Sequence, residues 1–203
     1  MHLSAQNVSF GYRRERRVLN GLDFCIRAGE RVALTGPSGC GKSTLSQLLA
    51  GYLRPQSGQV TLGGDALPHA GYSPVQLIYQ HPERAINPRW RLRRTLHESW
   101  HPDAQFLDTM GIAPEWLERY PVELSGGEIQ RFCIARALAP QTRFLIADEM
   151  TTMLDMVTQA QIWECVLEQV TARGLGLLVV THSEGLARRT CDRVVDFREL
   201  TAG

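Results

Sequence analysis

Apolar positions along the chain fall into three patterns. The first is a short, nearly continuous apolar run, seen at Arg31–Thr35, Val75–Tyr79, Phe144–Ala147 and Leu175–Val180. Runs of four to eight such residues, partly β-branched and bounded by turn residues, predict buried strands. The second is a looser alternation over residues 2–12, Val18–Ile26 and Gln59–Leu62, broken at Ala28-Gly29, Gly58 and Gly63-Gly64. Those segments predict a small antiparallel sheet flanking the strand at 31–35, and residues 193–197 predict a last short strand. The third is helical spacing. It predicts a helix over Leu45–Ala50 that Gly51 can stop, one opening at Ser125 and running to Leu138 ahead of Pro140, and one over 157–172. Residues 103–120 carry a mixed helical pattern through Phe106, Leu107, Met110, Trp116, Leu117 and Tyr120.

Composition narrows the class without naming a function. With 203 residues the chain is long enough for one domain, and 43% hydrophobic with 21% charged residues is an ordinary globular balance. A formal net charge of +1 singles out no nucleic-acid partner. The five cysteines (Cys25, Cys40, Cys133, Cys165, Cys191) form no C-x-x-C pair, which predicts reduced thiols rather than a disulfide frame or zinc ribbon. No apolar run reaches the roughly 18 residues of a membrane span, and the N-terminus has no signal-peptide pattern. The chain stops soon after its last strand, so no C-terminal domain is expected.

The chemistry centres on Gly36, Pro37, Ser38, Gly39, Cys40, Gly41, Lys42, Ser43 and Thr44, which fit G-x-x-x-x-G-K-[ST] between a strand and a helix. Glycines let the backbone curl until several N–H groups point at phosphate oxygens, and the helix N-terminus adds its positive end. Lys42 brings a full charge to the β- and γ-phosphates, and the Ser43 hydroxyl can ligate Mg²⁺. The strand at 144–147 ends in Asp148-Glu149. A carboxylate there holds Mg²⁺ directly or through water, and the next can accept a proton from an attacking water. The strand at 175–180 ends in Thr181-His182, at the sheet edge where open α/β sheets place ligands.

Other motifs have two readings each. Ser125-Gly-Gly at a helix start is either an N-cap or a second anion site. Tyr12, after Phe10-Gly11, is either packing or an adenine platform. Within 81–102, Arg84, Arg89, Arg91, Arg93 and Arg94 form either a solvated loop and helix start or a basic docking surface for a partner or for phosphates. His97-Glu98-Ser99-Trp100-His101 matches the H-E-x-x-H zinc pattern, but Pro102 disfavours a continuing helix and no third ligand is evident, so no zinc is expected.

Taken in order, the phosphate loop, Leu124-Ser-Gly-Gly-Glu128 and Asp148-Glu149 resemble the ATP-binding subunits of ABC transporters along nearly the whole chain. The resemblance implies an α/β P-loop NTPase core of mostly parallel sheet with flanking helices, an N-terminal antiparallel β subdomain and an inserted helical subdomain. One domain over 1–203 is expected, its core at about 1–80 and 140–203 and the signature subdomain at about 81–139. It makes Tyr12 the adenine-stacking aromatic, Gln80 the residue that senses Mg²⁺ and the membrane subunit, Glu149 the base and His182 the γ-phosphate contact. Ser43, Gln80 and Asp148 become the Mg²⁺ set, and Ser125, Gly126, Gly127 and Glu128 the partner's ATP site. Asp155 becomes part of the loop crossing the dimer interface.

Two positions depart from the family. Met150 stands where Pro usually comes after the base, and Thr-Met-Leu precedes Asp155 in place of Ser-Ala-Leu. Gln80-His-Pro-Glu-Arg-Ala-Ile-Asn-Pro88 looks like the dipeptide, oligopeptide and nickel importer branch. The implied activity is ATP hydrolysis driving import through a permease at the cytoplasmic membrane face. It needs a second ATPase subunit (homodimer or heterodimer) and an extracytoplasmic binding protein, with no nucleic acid. Soluble ABC ATPases acting on chromosomes usually carry long coiled coils, and no sustained heptads occur here. Ribosome-acting relatives need two nucleotide domains in one chain. A small-molecule kinase would have no use for the Leu124–Glu128 signature.

Overall fold

The computed structural model describes residues 1–13, 17–68 and 70–201. In chain order the elements are β1 (His2–Phe10), β2 (Leu19–Arg27), β3 (Arg31–Thr35), α1 (Lys42–Leu49), β4 (Ser57–Leu62), β5 (Asp65–Ala66) and β6 (Val75–Ile78). Then come α2 (Leu92–Leu96), α3 (Ala104–Thr109), α4 (Gly126–Ala137), β7 (Phe144–Asp148), α5 (Met156–Arg173), β8 (Gly176–Val180), α6 (Glu184–Thr190) and β9 (Arg193–Asp196). Short 3-10 turns lie at Pro82–Arg84, Pro114–Glu118, Pro121–Glu123 and Glu199–Thr201.

The strands build two sheets. An antiparallel one runs β2-β1-β4-β5, and a five-stranded one runs β6-β7-β8-β3-β9 with every pairing parallel. Parallel strands need both faces covered, and the cores show this directly. On β7, Phe144 and Ile146 enter one apolar cluster while Leu145 and Ala147 enter the other. On β8, Leu178 and Val180 divide from Leu177 and Val179 in the same way. The period-two alternation of side chains thus feeds two cores, one shared with α1 and the antiparallel sheet, the other with α4 and α5. This is why those strands read as unbroken apolar runs.

Between β6 and β7 the regular elements are all helical among the described residues. The 103–120 stretch is not one helix. Gly111 takes φ 63° after α3, and Pro114 opens a 3-10 turn, so the pattern breaks into two pieces. α4 is the anchored helix of this region. Phe132 and Ile134 are fully buried. The Arg173 guanidinium donates to the carbonyls of Leu138 and Ala139, both at 2.7 Å, satisfying groups a helix end leaves free. α1 starts at Lys42, three residues ahead of the apolar pattern, because the last residues of the phosphate loop form its first turn. β5 and α6 have no counterpart among the elements expected from sequence. A two-residue strand and a seven-residue helix are too short to carry a period.

The parallel sheet positions the chemistry. Asp148 pairs in register with Val180, Val180 with Leu34, and Thr35 with Asp196. The C-terminal ends of β3, β7, β8 and β9 therefore lie along one edge, and the loops leaving those strands meet there.

Candidate functional site

The phosphate loop leaves β3 at Gly36 and enters α1 at Lys42. Gly36 and Gly41 adopt φ of 143° and 120°, a region side chains avoid. A Cβ on Gly41 would sit 3.0 Å from both Leu19 and Phe197, so this glycine is required by space as well as by conformation. The tip of Lys42 folds back onto its own loop. Its Nζ donates to the carbonyls of Gly36 and Pro37, both at 2.8 Å, and lies 3.9 Å from the Cys40 sulfur. With Lys42 only 5% exposed, the loop holds a nearly buried ammonium.

Asp148 is the last residue of β7 and is buried. Burial pushes its carboxyl up from the usual range, and a hydrogen bond with the Ser43 side chain opposes that shift. Glu149 leaves the strand in the left-handed region at φ 50°, pinned by its N–H to the Val180 carbonyl at 3.0 Å. Its Oε1 lies 2.7 Å from His182 Nε2, so the two residues expected at adjacent strand ends are in contact.

One cleft of about 1020 Å³ is lined by Tyr12, Ser38 through Thr44, Gln80, Glu149 and His182. Gly36 and Pro37 contribute their carbonyls to Lys42 at its base. Gln80 also borders a second groove with Ser43 and Asp148, so it stands between the carboxylate and the cleft. Tyr12 is 62% exposed, its ring packs edge-on to Phe10 at 5.1 Å, and its hydroxyl lies 3.3 Å from that of Thr44. Packing and exposure are therefore both present.

Other expected residues lie apart from this cleft. Ser125 caps α4: its hydroxyl accepts from the Glu128 N–H at 3.3 Å, and the Glu128 carboxylate accepts from the Ser125 N–H at 2.7 Å. Ser125 and Gly126 reach the surface, and Gly127 packs against Thr158 and Leu154. Ser125 through Glu128 do not line the phosphate-loop cleft. Asp155 caps α5 with Oδ1 accepting the N–H groups of Val157 and Thr158, each at 3.0 Å. The Thr158 hydroxyl, foremost, and these amides hold its carboxyl below the usual range.

His97 and His101 do not share a helix face, since α2 ends at Leu96 with His97 as its C-cap. Their rings stack at 4.1 Å, burial with the neighbouring His101 and Arg93 lowers the His97 pKa, and Glu98 is tied to Arg136 at 2.9 Å. Among the described residues no three ligating side chains converge. Of the basic stretch, Arg91 and Arg93 pair with Glu118, and Arg94 covers the Trp90 ring at 3.8 Å. Arg13, Arg17 and Val18, which no motif marked, also line the cleft. Their signal was the basic run Tyr12-Arg-Arg-Glu-Arg-Arg17, of which residues 14–16 lie outside the described residues.

A phosphate-binding loop, a buried carboxylate against its serine and an adjacent Glu–His pair at a parallel sheet edge define a P-loop nucleotide hydrolase. The chain belongs to the ABC transporter family, whose pattern matches residues 19–152. It is an ATPase of that family.

It is 31% identical to the nickel import system ATP-binding protein NikE of Staphylococcus aureus (strain bovine RF122), over 97% of this chain and 87% of that one. It is 37% identical to the probable D,D-dipeptide transport ATP-binding protein DdpF of Escherichia coli K12, over 87% of this chain, and spans 59% of DdpF's length. Among solved structures, one titled as the ATP-binding subunit of an ABC transporter superposes with a TM-score of 0.81 at 25% identity, covering 97% of this chain and 85% of that one. The dimeric bacterial cassette MJ0796 gives a TM-score of 0.80 at 24% identity over 96% of this chain and 93% of that one, which supports the fold. No helix among the described residues is long and apolar enough to cross a membrane.

Proposed function

We propose that this protein powers import through a membrane permease, with a peptide or a nickel complex as cargo, from the cytoplasmic face of the membrane. The observation that carries the reading is a division of labour within one chain. Tyr12, Lys42, Ser43, Gln80, Glu149 and His182 converge on one cleft, whereas Ser125, Gly126 and Gly127 lie elsewhere, at the start of α4. A second ATPase subunit, identical or related, then supplies its own Ser125–Gly127 across the interface that Asp155 borders. The cargo class, the permease and an extracytoplasmic binding protein are inferred from the similarity to nickel and dipeptide importer subunits.

The residues present fit ATP with Mg²⁺. The cleft volume, the glycine-lined loop that a Cβ would fill, and an oxygen donor set of Ser43, Gln80 and Asp148 match the nucleotide's phosphates and a hard cation. When bound, Mg²⁺ neutralises charge on the β- and γ-phosphates. Lys42 exchanges the Gly36 and Pro37 carbonyls for phosphate oxygens, and the loop amides hold the rest. Glu149 accepts the proton of the attacking water, while His182 fixes the Glu149 carboxylate and turns toward the γ-phosphate. Tyr12 stacks on the base. Closure of two subunits around the nucleotide moves the permease, because ATP binds the closed pair better than the open one.

The test is uptake of radiolabelled nickel and of a labelled dipeptide in cells carrying Glu149→Gln in place of the native chain. The expected result is loss of one uptake activity. Full retention of both would reject the cargo class, and retention with intact ATPase activity in the variant would reject the site.

A further inference from the structure

The segment from Glu149 to Asp155 joins the proposed base to the proposed interface loop, and the way it is held is not dictated by any motif. Thr151 is 2% exposed. Its hydroxyl oxygen accepts from the Gln159 side-chain amide at 2.9 Å and from the Trp163 indole N–H at 3.1 Å. The same Gln159 amide donates to the Thr151 carbonyl at 3.1 Å. Both donors belong to α5, one helical turn apart and on one face, and α5 is the helix that Asp155 caps.

On the other side, the Glu149 carbonyl accepts from the N–H of Thr152 at 3.1 Å and from its hydroxyl at 2.9 Å. Met150, between them, is 2% exposed and packs into the core with Trp163. A left-handed backbone at a non-glycine residue persists only where its surroundings over-determine it. Here the Val180 carbonyl holds the Glu149 N–H, Thr152 holds its carbonyl, and the Thr151 clamp fixes the next turn of the loop. A cavity of about 350 Å³ is lined by Thr151, Gln159 and Trp163 together with Glu149 and His182, so the clamp and the proposed base share one space.

We propose that Thr151, Gln159 and Trp163 are positioning residues that carry movement of α5 and Asp155 at the subunit interface to the Glu149 carboxylate. The inference rests on Glu149 as base and Asp155 as interface residue. A displacement of α5 moves Gln159 and Trp163 together, and both hold the same oxygen. Thr151 moves with them, and Glu149 is two residues away along a loop with little free rotation. Neither clamp donor lines the phosphate-loop cleft, so the prediction is for turnover and not for binding.

The experiment uses the assembled transporter with ATP and Mg²⁺, reading kcat and KM for ATP. Thr151→Val keeps the shape and removes the acceptor; Thr151→Ser keeps the acceptor. Losing two hydrogen bonds of ordinary net strength corresponds to a fall in kcat of about tenfold, with KM for ATP within about twofold. Thr151→Ser should restore kcat to within about twofold of the parent. Gln159→Met, at a half-buried position, should give a smaller fall of the same kind. Combining Thr151→Val with Asp155→Ala should cost less than the product of the two single effects, because both act on one path.

Unchanged kcat in Thr151→Val and Gln159→Met would overturn the inference. So would a Thr151→Ser protein as slow as Thr151→Val, a loss confined to KM, or independent multiplication of the Thr151 and Asp155 effects. Should Thr151→Val fail to fold, Gln159→Met with Asp155→Ala decides the question alone. Failure of the base assignment looks different: Glu149→Gln would then turn over at the parental rate, whereas failure of the clamp leaves Glu149→Gln inactive and Thr151→Val active.

Discussion

Replacing Glu149 with Gln isolates one event, acceptance of a proton from water. Its side chain meets His182 through Oε1 at 2.7 Å, and a glutamine retains an oxygen at that place. The backbone bonds to Val180 and Thr152 do not depend on the side chain. The contact is partly exposed on both sides, 43% for His182 and 21% for Glu149, so its loss costs stability at most about 1 kcal/mol. In a chain of this size that is a fall in Tm of about 2–4 °C. The catalytic effect is much larger. A general base contributes about 10²–10⁴-fold, which at 1.36 kcal/mol per decade is about 2.7–5.4 kcal/mol of barrier. Nucleotide affinity should not change, because Lys42 and the loop amides make the phosphate contacts.

Turnover and titration calorimetry read the two halves. Light scattering after size exclusion then asks whether the variant, alone or mixed with its partner ATPase, accumulates as an ATP-dependent dimer. Adding Ser125→Arg should abolish that dimer, since a long side chain would fill the neighbour's γ-phosphate position. Hydrolysis within about threefold of the parent would refute Glu149 as the base. No ATP-dependent dimer under either condition would refute the composite site.

Other contacts give further expected outcomes. Lys42→Ala should nearly abolish ATP binding, and Tyr12→Ala should weaken it by about 1–3 kcal/mol, both read by calorimetry; unchanged affinity in Lys42→Ala would remove the phosphate loop from the site. Chelators should leave ATPase activity assayed with excess Mg²⁺ intact and metal analysis should find no stoichiometric zinc; one tightly held zinc per chain would make His97 and His101 ligands after all. Arg31 donates to both carboxylate oxygens of Asp192 and holds its carboxyl below the usual range. That stabilisation is fully present above the unfolded value of about 3.9 and lost as pH falls through the depressed folded value. For this half-exposed pair Asp192→Asn should lower Tm at neutral pH by no more than about 2–4 °C, and the difference should shrink as pH falls below about 3.9; a difference that does not shrink would contradict the ion pair.

Much of this molecule could be read from local pattern. The buried strands, the helix after the phosphate loop, the cap at Ser125 and the two carboxylates ending β7 are set by residues within a few positions of one another, and hydrophobic period and turn chemistry act at that range. Sequence order also separated the two halves of the site along the chain. Which strand ends become neighbours is a different matter, because Asp148, Val180, Leu34 and Asp196 come together only through parallel pairing of distant strands. The Glu149–His182 contact arises from that pairing, whereas Tyr12, Arg13 and Arg17 reach the cleft from between the antiparallel strands β1 and β2. The Thr151 clamp depends on two α5 side chains reaching back over a loop whose shape no motif encodes. Periodicity records which face of an element is buried; only the packed tertiary structure decides what lies against it.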